Sequence, residues 1–411
     1  MNKVNAVMVG GLFDENGISA FARPVLFGTA GDAMRDALPD AVEACFFAHD
    51  DREPAVAGAQ DIALDAANRF ASLAALPESE HVLVLAAPFA LAEEDALFHL
   101  AETHLNTGYG VSVLSAEQQG FDAEGQPLPR DSRCYAAMFT WDMLKKALAS
   151  GADTLDGLVA AAVAAGAQKG IAITNKIYVI CDGTAAFMAQ VEMMQRVNYG
   201  LIKKGVQIFD LTSTYIAPDA DIAPGATILP GCHIRPGCKV GAGAVIGPNT
   251  ILEKAEIGAG TTVNNSQVYE STVGSNTTVG PFAYIRPQSV VGDGCRIGDF
   301  VELKKSTIGN GTKVSHLTYI GDATVGERVN FVVVNYDGYH KYRTEIGDDC
   351  FIGCNTNLVS PVKLGDRAFT AAGTTVTKDV PAGALSVARS RQTNLEGWND
   401  RRRAAHEKDE K

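Results

Sequence analysis

Apolar positions along this chain follow two different periods. Up to about residue 180, short apolar runs alternate with stretches of helical spacing. Val7-Met8-Val9 and His81-Val-Leu-Val-Leu-Ala86 are continuous apolar runs, as expected of strands buried on both faces. Residues 93–104 and 142–148 carry helical spacing, and 159–167 predicts a packed helix. This alternation predicts an α/β domain with a parallel sheet. Between 185 and 204, Met188, Val191, Met194, Val197 and Leu201 recur at three- and four-residue spacing. That stripe predicts an amphipathic connecting helix whose methionines fill a core.

From Ile216 the period becomes six. Ile216, Ile222, Ile228, Ile234, Val240, Ile246 and Leu252 fall at strict six-residue intervals. After some slips the register returns at Val279, Ile285, Val291 and Ile297, then at Ile346, Ile352, Leu358 and Leu364, ending near Val376. A fixed hexad specifies a left-handed parallel β-helix, in which each hexad forms one wall of a triangular prism. The aliphatic residue points inward, and the position four later is internal but tight. Ala220, Ala226, Cys232, Cys238, Ala244 and Thr250 fill that slot, as do Cys295 and Cys350. Four of the eight cysteines are thereby small core residues needing neither metal nor disulfide.

Composition narrows the picture. The 411 residues are 46% hydrophobic and 20% charged, and 48 acidic against 35 basic residues leave a net charge of −13. That balance argues against nucleic acid or an anionic membrane as partner. The N-terminus lacks the pattern of a signal peptide, and no apolar run is long enough to span a bilayer. Scattered cysteines without a C-x-x-C fit reduced thiols in a cytoplasmic protein.

The hexads break at 300–305, at 315–322 and at 330–344, where loops and sites are expected to gather. At these points the chain reads Phe300-Val-Glu-Leu-Lys-Lys305, His316-Leu-Thr-Tyr319 and Asn335-Tyr-Asp-Gly338. Ile346-Gly-Asp-Asp349, Ala371-Ala-Gly-Thr-Thr-Val376 and Glu396-Gly-Trp398 follow. Together, over roughly 281–398, these closely resemble the acetyltransferase domain of a bacterial bifunctional family. Its members combine N-acetylglucosamine-1-phosphate uridylyltransferase with glucosamine-1-phosphate N-acetyltransferase.

The resemblance implies direct acetyl transfer from acetyl-CoA to a phosphorylated amino sugar, within a homotrimer. His316 would be the general base, a task suited to imidazole because its ordinary pKa of about 6.5 lies near cellular pH. Arg286 and Lys304 would hold the sugar phosphate, and Tyr319 and Asn330 would orient the sugar, with Lys341 a further pocket residue. Asn335, Tyr336, Cys354, Ala372 and Arg389 would face the cofactor. The chain departs from the family between Asn330 and Asn335, which are about four residues closer and lack two glycines suited to close ligand approach. That departure keeps a non-catalytic scaffold open as an alternative.

By order and length, 1–184 resembles the family's nucleotidyltransferase domain only faintly, and that resemblance implies that its sheet is Rossmann-like. The Gly-rich loop is replaced by Gly10-Gly-Leu-Phe-Asp-Glu-Asn16, with Arg23 the nearby cation. Leu85-Ala-Ala-Pro-Phe-Ala90 lacks a metal-binding carboxylate, and Asp182-Gly183 stands where a metal-binding Asn is expected. The expectation is a degenerate domain over 1–184, a connecting helix and linker over 185–212, the β-helix over 213–390, and a mixed-charge tail over 391–411. No metal site is expected; magnesium would matter only if uridylyl transfer survived, which is the bifunctional alternative.

Overall fold

The computed structural model describes residues 3–91, 96–116, 134–174, 177–329 and 342–409. The chain divides into two compact units, one formed by Met1–Lys204 with Asp210–Asp219, the other by Gly205–Phe209 with Ala220–Lys411.

The first unit is built on a seven-stranded sheet. Its spatial order is Lys169–Thr174, Val111–Ala116, Ala136–Thr140, His81–Leu85, Val4–Val9, Val42–His49 and Gln60–Ala63. All neighbours pair in parallel except Ala136–Thr140, which runs antiparallel to both strands beside it. The continuous apolar runs have the expected cause: both faces are covered. Val82 and Val84 join a core with Phe70, Leu144 and Leu158, while Leu83 and Leu85 join one on the opposite face with Met34, Leu97 and Leu100.

Helix boundaries differ modestly from expectation. The first predicted helix appears as Ala96–Thr107, and the packed helix as Leu155–Ala164, ending before Gly166, whose φ is +98°. The long helix is Gly183–Lys203, N-capped by Asp182, whose side chain accepts from the Ala185 N–H at 2.8 Å. Met194 and Leu201 are buried there, but Met188 is 47% exposed, so only part of the methionine stripe fills a core.

A polar chain crosses one core. His81 Nδ1 lies 3.1 Å from His104 Nε2, and His104 Nδ1 lies 3.0 Å from Ser112 Oγ. Burial, reinforced by His81, pushes the His104 imidazole from 6.5 down to about 4. A folded-state pKa below the unfolded value means the unfolded chain takes up the proton first. The contribution is therefore complete above the unfolded pKa and is lost as pH falls toward the folded one. Urea unfolding is expected to lose about 2 kcal/mol between about pH 7.5 and about pH 5 from this group, and His104→Gln to flatten that slope.

The second unit is a parallel β-helix. One internal column runs Ile222, Val240, Ile257, Val273, Val291, Ile308, Val325, Ile346 and Leu364. A second runs from Ile228 through Ile246, Val263, Val279 and Ile297 to Val314, and a third from Ile234 through Leu252, Val268, Ile285 and Leu303 to Ile320. All these side chains are buried, each contributing about 1.5–3 kcal/mol by leaving water. The small slots are filled as expected by Ala226, Cys232, Cys238, Ala244, Thr250, Cys295 and Cys350; Ala220 is only half-buried. Burial pushes the Cys232, Cys295 and Cys350 thiols up, keeping them un-ionised.

Two expected breaks are not loops. Residues 300–305 and 315–322 belong largely to the nine-residue strands Arg296–Lys304 and Lys313–Gly321, which pair in parallel and turn a corner without leaving the wall. The corner is made by Phe300 at φ +56° and Leu317 at φ +50°, beneath Phe282 at φ +60°. Bulky residues rarely adopt this left-handed backbone. Here they stack outward, with the Phe282 and Phe300 rings 5.3 Å apart.

Candidate functional site

His316 stands at that corner, exposed, paired in register with Asp299 of the preceding coil. Its carbonyl accepts from Thr318 Oγ1 at 2.7 Å, which ties the corner to the next wall. The approach of the two strands depends on Gly298, because a Cβ there would lie 1.8 Å from the Ser315 carbonyl oxygen.

Arg286, Lys304 and Tyr319 share the wall that follows the corner. Tyr284 pairs with Glu302 and Ile285 with Leu303; in the next coil Glu302 pairs with Tyr319 and Lys304 with Gly321. Inward residues Ile285, Leu303 and Ile320 are buried, so their neighbours on either side face outward, the usual alternation of a strand. Arg286 is not a bare cation. Its Nη1 donates to Glu302 Oε1 at 2.8 Å, and that bond is the main cause holding its guanidinium above its ordinary pKa. The Tyr284 ring lies 5.8 Å from the guanidinium carbon. Glu302 stands within the quoted motif without a role expected of it; its place one coil below Arg286 follows from the strand register, which a linear reading does not display.

Three expected cofactor residues come together further along. The Gly373 N–H donates to the Cys354 carbonyl at 2.9 Å, and Arg389 Nη1 donates to the Ala372 carbonyl at 3.0 Å. Cys354, Ala372 and Arg389 are all exposed. Asn330, Asn335, Tyr336 and Lys341 lie outside the described residues.

In the first unit, carboxylates already accept from several amides of the Gly10–Gly17 loop and its flank. The buried Glu53 carboxylate accepts from the Gly11 N–H at 2.8 Å and from Ser19 Oγ at 2.6 Å. Asp14 Oδ1 accepts from the Asn16 and Ile18 N–H groups at 2.9 Å each, and its other oxygen pairs with Arg23. A second cation, Arg69, carries no sequence signal that marks it, yet it donates to the Val9 and Gly10 carbonyls at 3.2 and 3.1 Å. After the His81–Leu85 strand, Ala86 and Ala87 are buried and apolar, and Asp182 is engaged as a helix cap. Among the described residues, no group of three or more histidine, cysteine, aspartate or glutamate side chains is placed to hold a metal ion.

Segments 219–254, 270–305 and 343–378 match the family described as bacterial transferase hexapeptide (six repeats). Over 242 residues, 57% of this chain and 53% of the relative, the chain is 52% identical to the Bifunctional protein GlmU of Clostridium perfringens (strain SM101 / Type A). It is also 52% identical over 218 residues, 52% of this chain and 48% of the relative, to the protein of that name from Clostridium botulinum (strain ATCC 19397 / Type A). Among solved structures, the 2-C-methyl-D-erythritol 4-phosphate cytidylyltransferase of Thermus thermophilus is 18% identical over 46% of this chain and 97% of that one. Its TM-score of 0.35 is too low to carry an argument. The chain spans about half the length of the curated relatives it matches, and over the aligned stretch it is similar to proteins named Bifunctional protein GlmU, with three segments that match transferase hexapeptide repeats.

Proposed function

We propose that this chain N-acetylates glucosamine-1-phosphate with acetyl-CoA, a step toward UDP-N-acetylglucosamine. The carrying observation is the grouping of His316, Arg286, Lys304 and Tyr319 on consecutive coils, in a chain that is 52% identical over 242 residues to a Bifunctional protein GlmU. The amine lone pair attacks the thioester carbonyl while His316 takes the amine proton. The C–S bond then breaks, and coenzyme A leaves as a thiolate that accepts a proton. Arg286 and Lys304 would bind the phosphate, the former through the donors not spent on Glu302. Tyr319, Asn330 and Lys341 would orient the sugar; Asn335, Tyr336, Cys354, Ala372 and Arg389 would face the cofactor. Cys354 needs no nucleophilic role, because the transfer is direct.

The same reading includes a homotrimer. Phe282, Phe300 and Leu317 form an outward ridge beside His316, and Leu317 is 71% exposed. Val387, Leu395 and Trp398 leave further apolar surface exposed near the C-terminal helix Trp398–Asp409. Copies of the chain packed side by side would cover such surface and give the histidine a walled cleft.

Uridylyl transfer is, on this reading, lost. Glu53 and Asp14 already occupy loop amides that a triphosphate would need, and both add negative charge where phosphates would lie. Two assays decide between the readings. Coenzyme A thiol release with glucosamine-1-phosphate is expected; its absence from a folded oligomer would leave the scaffold reading. Magnesium-dependent pyrophosphate release from UTP and N-acetylglucosamine-1-phosphate is not expected, and its detection would restore the bifunctional one.

A further inference from the structure

We infer that Gly321 is a positioning residue: by lacking a side chain it lets the Tyr319 ring bring its hydroxyl into the Arg286–Lys304 column. This inference rests on the acetyl-transfer reading. Outward positions on the wall form two columns. One contains Tyr284, Glu302 and Tyr319. The other has Arg286 in one coil, Lys304 in the next and Gly321 in the third, so the third coil supplies no side chain of its own.

The tyrosine ring takes the vacant position. A Cβ built on Gly321 would lie 2.3 Å from Tyr319 Oη, 2.7 Å from Cζ and 2.8 Å from Cε1. The backbone does not ask for glycine there, because Gly321 is not among the residues with positive φ. What excludes a side chain is the ring lying along the strand, two residues on. The hydroxyl therefore leaves the column in which its Cα stands and joins the one holding the guanidinium and the ammonium. A phosphorylated sugar meeting this wall would find a planar fork, a point charge and a neutral hydroxyl donor on three successive coils.

A glycine kept only to accommodate packing would affect folding and leave substrate affinity alone. A positioning glycine changes affinity for the sugar phosphate through the tyrosine. Because the obstacle is the far end of a side chain that can swing aside, Gly321→Ala is expected to fold with its ring displaced. The KM for glucosamine-1-phosphate should then rise about tenfold, with kcat and the KM for acetyl-CoA within about twofold of wild type. In a Tyr319→Ala background the same glycine change should add nothing, since the ring it displaces is gone. An unchanged KM for the sugar phosphate, or an equal effect in both backgrounds, overturns the inference while leaving the acetyl-transfer reading intact. No turnover by the wild-type chain overturns both. Should Gly321→Ala fail to fold, Tyr319→Phe removes the hydroxyl alone: a KM for glucosamine-1-phosphate about tenfold higher supports the inference, and an unchanged KM overturns it.

Discussion

His316→Ala is expected to lower kcat for acetyl transfer about 10²–10⁴-fold while leaving coenzyme A binding nearly unchanged. An imidazole ring can accept the proton that an amine sheds as it attacks a thioester. Its side chain is exposed, and its main chain is held independently by the Thr318 hydroxyl and by parallel pairing with the preceding coil. Truncation should therefore cost little stability. A stopped-assay comparison of thiol release, with calorimetric titration of coenzyme A into both proteins, separates the chemical step from binding. Retention of wild-type turnover by the alanine variant would remove His316 from the mechanism.

Gly298→Ala should do the reverse, injuring both fold and activity. The added methyl would meet the Ser315 carbonyl oxygen at 1.8 Å and its carbon at 2.7 Å, and both belong to backbone. No rotamer relieves such a contact, so the strand carrying Ser315 and His316 must move away from its neighbour. Overpacking of this severity costs about 3 kcal/mol, or a fall in Tm of about 6–12 °C for a unit of this size. Displacing the base by about 1 Å should lower kcat/KM about 100-fold in the protein that remains folded. Thermal melting and thiol-release kinetics on the same preparation test both parts. A variant with unaltered Tm and activity would show that the two coils are not held in close contact.

Much of the β-helix is legible because its period is short and its inward positions admit few residue types. Ile222, Val240 and Ile346 can be assigned to the interior by counting alone, and Cys232 and Cys295 follow as tight-slot residues. Counting fails at the two long strands. Phe300 and Leu317 interrupt the hexad and look like loop residues, yet they occupy corners in a backbone region that bulky side chains seldom enter. The candidate site shows the same division. His316, Arg286, Lys304 and Tyr319 are visible through the motifs they sit in, whereas Glu302's bond to Arg286 depends on which coil lies against which. Gly298 and Gly321 are recognisable only as absences of side chain, and the contacts that require those absences are spatial. In the first unit, Glu53 is separated by 42 positions from the Gly11 amide it bonds, a pairing that no local pattern reveals.

A stack of coils opens most readily at its free ends, because every coil is secured only by the one before and the one after. The coils bearing Arg286, Lys304 and His316 are flanked by earlier turns beginning at Gln207 and by later ones reaching Ser386. Fraying from either terminus must consume those outer turns before it disturbs the charged wall. Slow hydrogen exchange in the strands around Leu303 and Ile320, and faster exchange at the outermost turns, would be the signature of a candidate site insulated by its position within the solenoid.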